Sequence, residues 1–374
     1  VTRPGVAALE EGGRVDFAAL RAERRERLLA AMERHGLDAC VFGREPNARF
    51  AAGARRLWTA GTRPFSPGCV VVRRTGAVHL LSTWDEGVPP EVPREHLYGI
   101  TWNPANYGAA LAAVPGFAAS RRIGVDGMTA LFAQVIGAAA PEAELVDATP
   151  ALAEARGPKS PAEIDCIRTA VAIAEGALAE AAAALGPGVS EAALAGRFLA
   201  AAARLGAPTP AMEGTFCVTA EAPPVRLVPS DRAVMAGEPV AMRAGVLYAG
   251  YEGVAGRTLV CPGADNAAAA RLADRCRSLR HRLLAAVRPG ATGADLLAAY
   301  VAAGEVPSAF PVAFGVGLGA EPPLIAPGRP GAAAELAAGT VLAVQACVTE
   351  PGAGAWLTFD VVAVTNDGAE VLTA

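Results

Sequence analysis

The chain has 374 residues, 52% of them apolar, and a formal net charge of −4 with acidic and basic residues interspersed. That supports two domains with sizeable cores, and the charge balance argues against nucleic acid as the main partner. Uninterrupted apolar runs, such as residues 341–344, fall far short of the ~20 residues of a bilayer span, which argues against a membrane helix.

Residues 17–36 predict a helix, with Leu20, Leu28, Leu29 and Met32 on one face, Arg and Glu on the other, and Gly36 ending it. Strand-like runs follow at 39–42, 69–73 and 78–81, then at 123–125 and 145–147 with helix-like stretches between. This alternation predicts an α/β domain over residues 1–155. A break at 154–158 opens a second domain, residues 156–374. Ser160-Pro161-Ala162-Glu163 reads as a capping box with proline at the first helical position. An alanine-rich helix is expected from there to about Leu185, stopped by Gly186-Pro187-Gly188, and Ser190 can cap a second helix ending near Gly206. Residues 240–244, 256–261, 341–348 and 356–365 have strand character, while 268–287 and 294–303 read as helices. The mixture predicts α+β. Seven scattered cysteines without a CxxC pair read as reduced, buried thiols. With no secretory leader opening the chain, the expected location is cytoplasmic.

Four segments carry a resemblance. Gly157 to Ile164 is GPKSPAEI, Gly237 to Thr258 is GEPVAMRAGVLYAGYEGVAGRT, Phe314 to Pro323 is FGVGLGAEPP, and residues 339–373 follow. In order and spacing these resemble the catalytic domain of the creatinase / Xaa-Pro peptidase family. The first 150 residues fit its N-terminal domain in length and pattern. The resemblance implies an N-terminal α/β creatinase-like domain followed by a C-terminal pita-bread domain, and a homodimer.

The family's chemistry rests on two aspartates, a histidine and two glutamates that hold two divalent ions. The resemblance places Arg243, Val254, Phe314, Gln345 and Phe359 at those five positions. None is a carboxylate or an imidazole, and the guanidinium would repel a dication by several kcal/mol in a poorly solvated pocket. The expectation is therefore a protein with no metal and no other cofactor. Creatinase shares the fold and works without metal through a histidine and glutamates, but the matching positions here are Arg226, Gly256 and about Thr358. Of the four histidines, only His281 lies in the second half, on a charged helix that reads as solvated surface.

Several side chains remain for chemistry. Arg243, on a strand expected to face the pocket, either anchors a ligand carboxylate or phosphate or pairs with an internal carboxylate as a plug. Arg226 follows a proline pair in a loop that reaches the substrate in creatinase; it is either a ligand contact or an exposed arginine. Glu321 falls where the family has a second, substrate-facing histidine, so it is either an acid or base of raised pKa or a displaced structural glutamate. Gln345 offers a neutral amide, and Phe314, Phe359 and Val254 line or fill the old metal cavity. Glu252 reads as surface, Arg257 as structural, and Cys217 as a thiol on a pocket strand. The GVGLG run at 315–319 reads as a glycine-rich loop that keeps the pocket open. Two functions fit: a metal-independent enzyme using Arg243, Gln345 and Glu321 on a small carboxylate- or amide-bearing substrate, for C–N cleavage, elimination or cyclisation; or a non-catalytic relative that binds a ligand or protein partner.

Overall fold

A computed structural model describes residues 15–54, 68–81, 87–99, 101, 103–220, 225–307 and 310–374. The chain divides into two compact units, Val1–Gly157 and Pro158–Ala374.

In the first unit α1 (Phe17–Arg34), β1 (Ala39–Phe42), α2 (Glu45–Ala52), β2 (Cys69–Val72), β3 (Ala77–Leu81), β4 (Leu97–Tyr98), α3 (Pro104–Ala113), β5 (Arg122–Val125), α4 (Ala130–Ala139), β6 (Glu144–Asp147) and α5 (Thr149–Arg156) follow one another. The Asp16 carboxylate accepts from the Ala19 amide and starts α1; the predicted face buries Leu20, Leu28 and Met32. The strands form one mixed sheet in the order β4-β3-β2-β1-β5-β6.

The second unit contains α6 (Pro161–Ala183), α7 (Glu191–Arg204), β7 (Thr215–Val218), β8 (Pro239–Tyr248), β9 (Tyr251–Val260), α8 (Ala267–Ala286), α9 (Gly293–Ala302), β10 (Ala313–Gly317), β11 (Gly319–Ile325), β12 (Val341–Glu350), β13 (Gly354–Val364) and β14 (Ala369–Val371). The capping box forms as expected: Glu163 Oε2 accepts from the Ser160 amide at 3.0 Å, and Ser160 Oγ accepts from the Glu163 amide at 3.4 Å. An eight-stranded sheet runs β11-β10-β12-β13-β9-β8-β7, with β14 beside β13. Two long antiparallel hairpins dominate it, β8/β9 and β12/β13. Ala249 and Gly250, both at positive φ (49° and 84°), make the two-residue turn of the first. The hairpins join through two residue pairs, Thr358 with Arg257 and Phe359 with Gly256.

Strand alternation sorts the sheet into two faces. Val240, Met242, Ala244 and Val246 pack with residues of α6 and α7. Leu342, Val344, Ala346 and Val348 pack with residues of α8 and α9. The intervening residues of each strand, Arg243 and Gln345 among them, therefore point to the opposite face.

One expectation fails here. The GVGLG run is not an open loop but the end of β10, the turn and the start of β11 in the hairpin those strands form, irregular between Phe314 and Gly315. Glycine is required because the chain crowds itself: a Cβ on Gly315 would lie 2.3 Å from the Pro322 carbonyl oxygen, and one on Gly317 would lie 2.2 Å from Glu321 Oε1.

Candidate functional site

The strand register lays the helix-free face out in rows. One row crosses β7, β8, β9, β13 and β12 as Thr215, Arg243, Gly256, Phe359 and Gln345. Gly256 is the tight point of the row, since a Cβ there would meet Phe359 Cβ at 2.9 Å and Arg243 Cβ at 3.1 Å. A neighbouring row runs Cys217, Ala241, Thr258, Leu357 and Cys347. Arg243 and Gln345 stand three strand spacings apart, about 14 Å on a flat sheet. Yet Arg243 Nη1 donates to Gln345 Oε1 at 2.9 Å. The two long side chains reach over Gly256 and Phe359, and with the hydrogen bond between them they span that distance.

Arg243 is 7% exposed. Its guanidinium carbon lies 5.2 Å from the Phe359 ring centre and 5.5 Å from that of Phe310, within cation–π range. Among the described residues its single hydrogen bond is the one to Gln345, and Nε is buried without a partner. No described carboxylate pairs with it. Burial holds its pKa below the usual arginine value, but a guanidinium keeps its proton in water-accessible pH ranges. Two acids that could have served as its internal partner, Asp360 and Glu321, are engaged elsewhere. Asp360 lies on the helix side, where Arg280 donates to it at 2.7 and 3.0 Å and Arg257 sits at 3.1 Å. Glu321 pairs with Lys159 Nζ at 2.9 Å and accepts from the Leu318 amide at 3.1 Å.

The remaining positions implied by the resemblance cluster on the same face. Phe314 sits with its ring centre 5.9 Å from that of Phe359. Val254 is fully buried above Gly245, whose added Cβ would meet it at 2.5 Å. Among the described residues no group of three or more His, Cys, Asp or Glu side chains could hold a metal ion.

Three expectations need revision. Glu252 is not surface: it is 2% exposed, on the same face as Val254 and two residues along the strand. Burial, reinforced by the charge of Glu321, pushes its carboxyl up to about 7. Arg226 neither hangs in solvent nor points free toward a ligand. Its Nη2 donates to Glu191, a fully buried carboxylate that also accepts from the Val218 and Ser230 amides. The proline pair before it lies outside the described residues. For Glu321 the catalytic alternative is the one to revise and the structural one fits, because Lys159 pairs with it in a contact where both side chains are under a tenth exposed.

Other readings hold. Arg257 donates to the carbonyls of Gly256 and Phe359 and buttresses the back of the sheet, and His281 is exposed. All seven cysteines are free and buried; burial raises the Cys217 thiol and pushes Cys347 up to about 11, so neither is a ready thiolate. Sequence did not single out Thr215 or Phe310 beside Arg243. Thr215 alternates with Phe216, which packs toward α7, so period two would have placed its hydroxyl on the site face.

No helix among the described residues is long and apolar enough to cross a membrane. Residues 24–157 match the creatinase/prolidase N-terminal domain, and residues 165–366 match metallopeptidase family M24. None of the curated proteins matches the chain. Solved structures do. A prolidase from Pyrococcus horikoshii is 20% identical with a TM-score of 0.77, over 94% of this chain and 98% of that one. The dipeptidase PepE from Mycobacterium ulcerans is 25% identical with a TM-score of 0.74, over 97% of both chains. An X-Pro aminopeptidase from Thermotoga maritima is 16% identical with a TM-score of 0.78, over 94% and 97%.

Proposed function

The chain belongs to metallopeptidase family M24, and from that premise we propose that its C-terminal domain is a metal-independent site that binds a small organic anion on Arg243. One observation carries the proposal: a guanidinium 7% exposed that meets one neutral amide and two aromatic rings, and no carboxylate among the described residues. A buried charge without a counter-charge is costly. An anionic ligand removes that cost, and a plug would have supplied its own acid. The same donor set does not fit a divalent ion. Val254, Phe314 and Phe359 have no donor atom, Gln345 has one neutral oxygen, and Arg243 brings positive charge to the place where the cation would sit.

The test is calorimetry with small carboxylates on the wild type and on Arg243→Met. A hydrogen-bonded ion pair contributes about 1.5–3 kcal/mol, so the variant should bind roughly ten- to a hundredfold more weakly. Equal affinity in the two proteins would sink the anchor.

A second reading, an enzyme, is favoured by Glu252. A carboxyl held near 7 on the ligand-facing side of the sheet is poised for proton transfer at neutral pH, a role that the Lys159 contact leaves Glu321 poorly suited to fill. In that reading Arg243 and Gln345 orient a carboxylate- or amide-bearing substrate and Glu252 moves the proton. Glu252→Gln would then abolish turnover while leaving carboxylate affinity intact; loss of affinity instead would assign Glu252 to binding.

A further inference from the structure

Arg243 Nε is not the only buried donor on this face without a partner among the described residues. Thr215 stands directly opposite it on the adjacent strand β7, where paired residues on one face have their Cβ atoms about 5 Å apart. The Thr215 side chain is fully buried, and its Oγ1 has no hydrogen-bond partner among the described residues. Buried hydroxyls are rarely left so. Two neighbouring orphan donors thus share one face, Thr215 Oγ1 and Arg243 Nε. Nη1 of Arg243 is already committed to Gln345. That leaves the Nε–Nη2 edge of the guanidinium, whose two N–H groups are parallel and match the two oxygens of a carboxylate.

We propose that Arg243 and Thr215 together form a carboxylate cradle, and that the ligand is a monocarboxylate with an apolar, ring-sized body. This rests on the anion-binding reading above. The Nε–Nη2 edge of Arg243 takes the carboxylate, and the Thr215 hydroxyl donates to one of its oxygens. The walls define the rest of the ligand. Phe310 and Phe359 flank the guanidinium, Phe314 stands against Phe359, and Cys217, Ala241, Cys347 and Leu357 form an apolar cluster on the same face. One positive charge among such walls balances a monoanion. A phosphate, carrying about −1.5 to −2 near neutral pH, would remain undercompensated. Thr215 is a specificity-determining residue in this arrangement, since its hydroxyl rewards an acceptor and Val at that position would offer none.

The test uses benzoate and 3-phenylpropanoate as probes, with benzamide and inorganic phosphate as controls, on full-length wild type, Arg243→Met, Thr215→Val and Thr215→Ser. Circular dichroism establishes that each variant is folded. The expected result is saturable binding of at least one aryl carboxylate by the wild type, with benzamide and phosphate much weaker. Thr215→Val should lose roughly tenfold in affinity and Thr215→Ser should restore it. If Arg243→Met weakens binding while Thr215→Val does not, the cradle is wrong and the anchor stands. If Arg243→Met binds as well as wild type, the anchor fails and the cradle with it. Preference for phosphate, or no aryl carboxylate binding at millimolar concentration, overturns the ligand class.

Discussion

Replacing Glu252 by glutamine should stabilise the protein, and only above a defined pH. The carboxyl is 2% exposed, faces Glu321, and titrates at about 7 against an ordinary value of 4.5. Below about pH 4.5 it is protonated whether the chain is folded or not, and it costs nothing. Between 4.5 and 7 the unfolded chain releases the proton while the folded one keeps it, so folding stability falls as pH rises. Above about 7 the full cost is present. A difference of about 2.5 units at 1.36 kcal/mol each amounts to about 3 kcal/mol. Glutamine keeps the shape and removes the charge. At pH 8 Glu252→Gln should be about 3 kcal/mol more stable than wild type, raising Tm by about 6–12 °C if the second unit melts as a domain of its size. At pH 4 the two proteins should melt together. Thermal unfolding at both pH values is the assay. A loss of stability at pH 8 would mean that Glu252 is ionised and paired in the folded state, and an equal shift at the two pH values would mean that its titration does not differ between folded and unfolded chains; either result would refute the burial argument.

The donor set of the site predicts that dialysed protein holds no stoichiometric manganese, zinc or cobalt by elemental analysis, and that chelators leave Tm unchanged. A panel of Xaa-Pro dipeptides and N-terminal Xaa-Pro peptides should go uncleaved with or without added metal, since no residue at the five positions can present a metal-activated water; metal-dependent turnover would contradict this. Gly253→Ala should destabilise by roughly 1–3 kcal/mol or more, because the new Cβ would lie 2.2 Å from the Ala170 carbonyl carbon in α6; an unchanged urea midpoint would show that the helix yields. The family resemblance predicts a homodimer, to be checked by light scattering at micromolar concentration.

The local rules of the sequence carried most of the fold. Ser160 and Glu163 announce α6 because a capping box is a short-range device, and alternation along residues 240–244 put Arg243 on the face away from Met242. What stayed hidden depends on pairing between distant strands. The β10/β11 hairpin is written in glycine and proline, poor strand formers, and its glycines make sense only once Pro322, Glu321 and Lys159 are seen to crowd them. Glu252 looks solvated beside a tight turn, yet its face of β9 is covered. Thr215 carries no polar pattern of its own; only its register opposite Arg243, 28 positions later in the chain (243 − 215), gives it meaning. Likewise, nothing local revealed that Asp360 answers to Arg280 rather than to Arg243.

The narrow junction between the two long hairpins has a kinetic consequence. Each hairpin pairs neighbours in sequence and can zip early, whereas their docking must close a chain of about a hundred residues between Arg257 and Thr358. Arg243 and Gln345 lie on opposite sides of that junction, so their hydrogen bond can form only after docking. Sub-global opening should begin at the same line. A ligand held by the β8 side and walled by the β12/β13 side would act as a clasp across it. Saturating carboxylate should then slow hydrogen exchange at the amides of Gly256 and Phe359 more than at those in the middle of either hairpin.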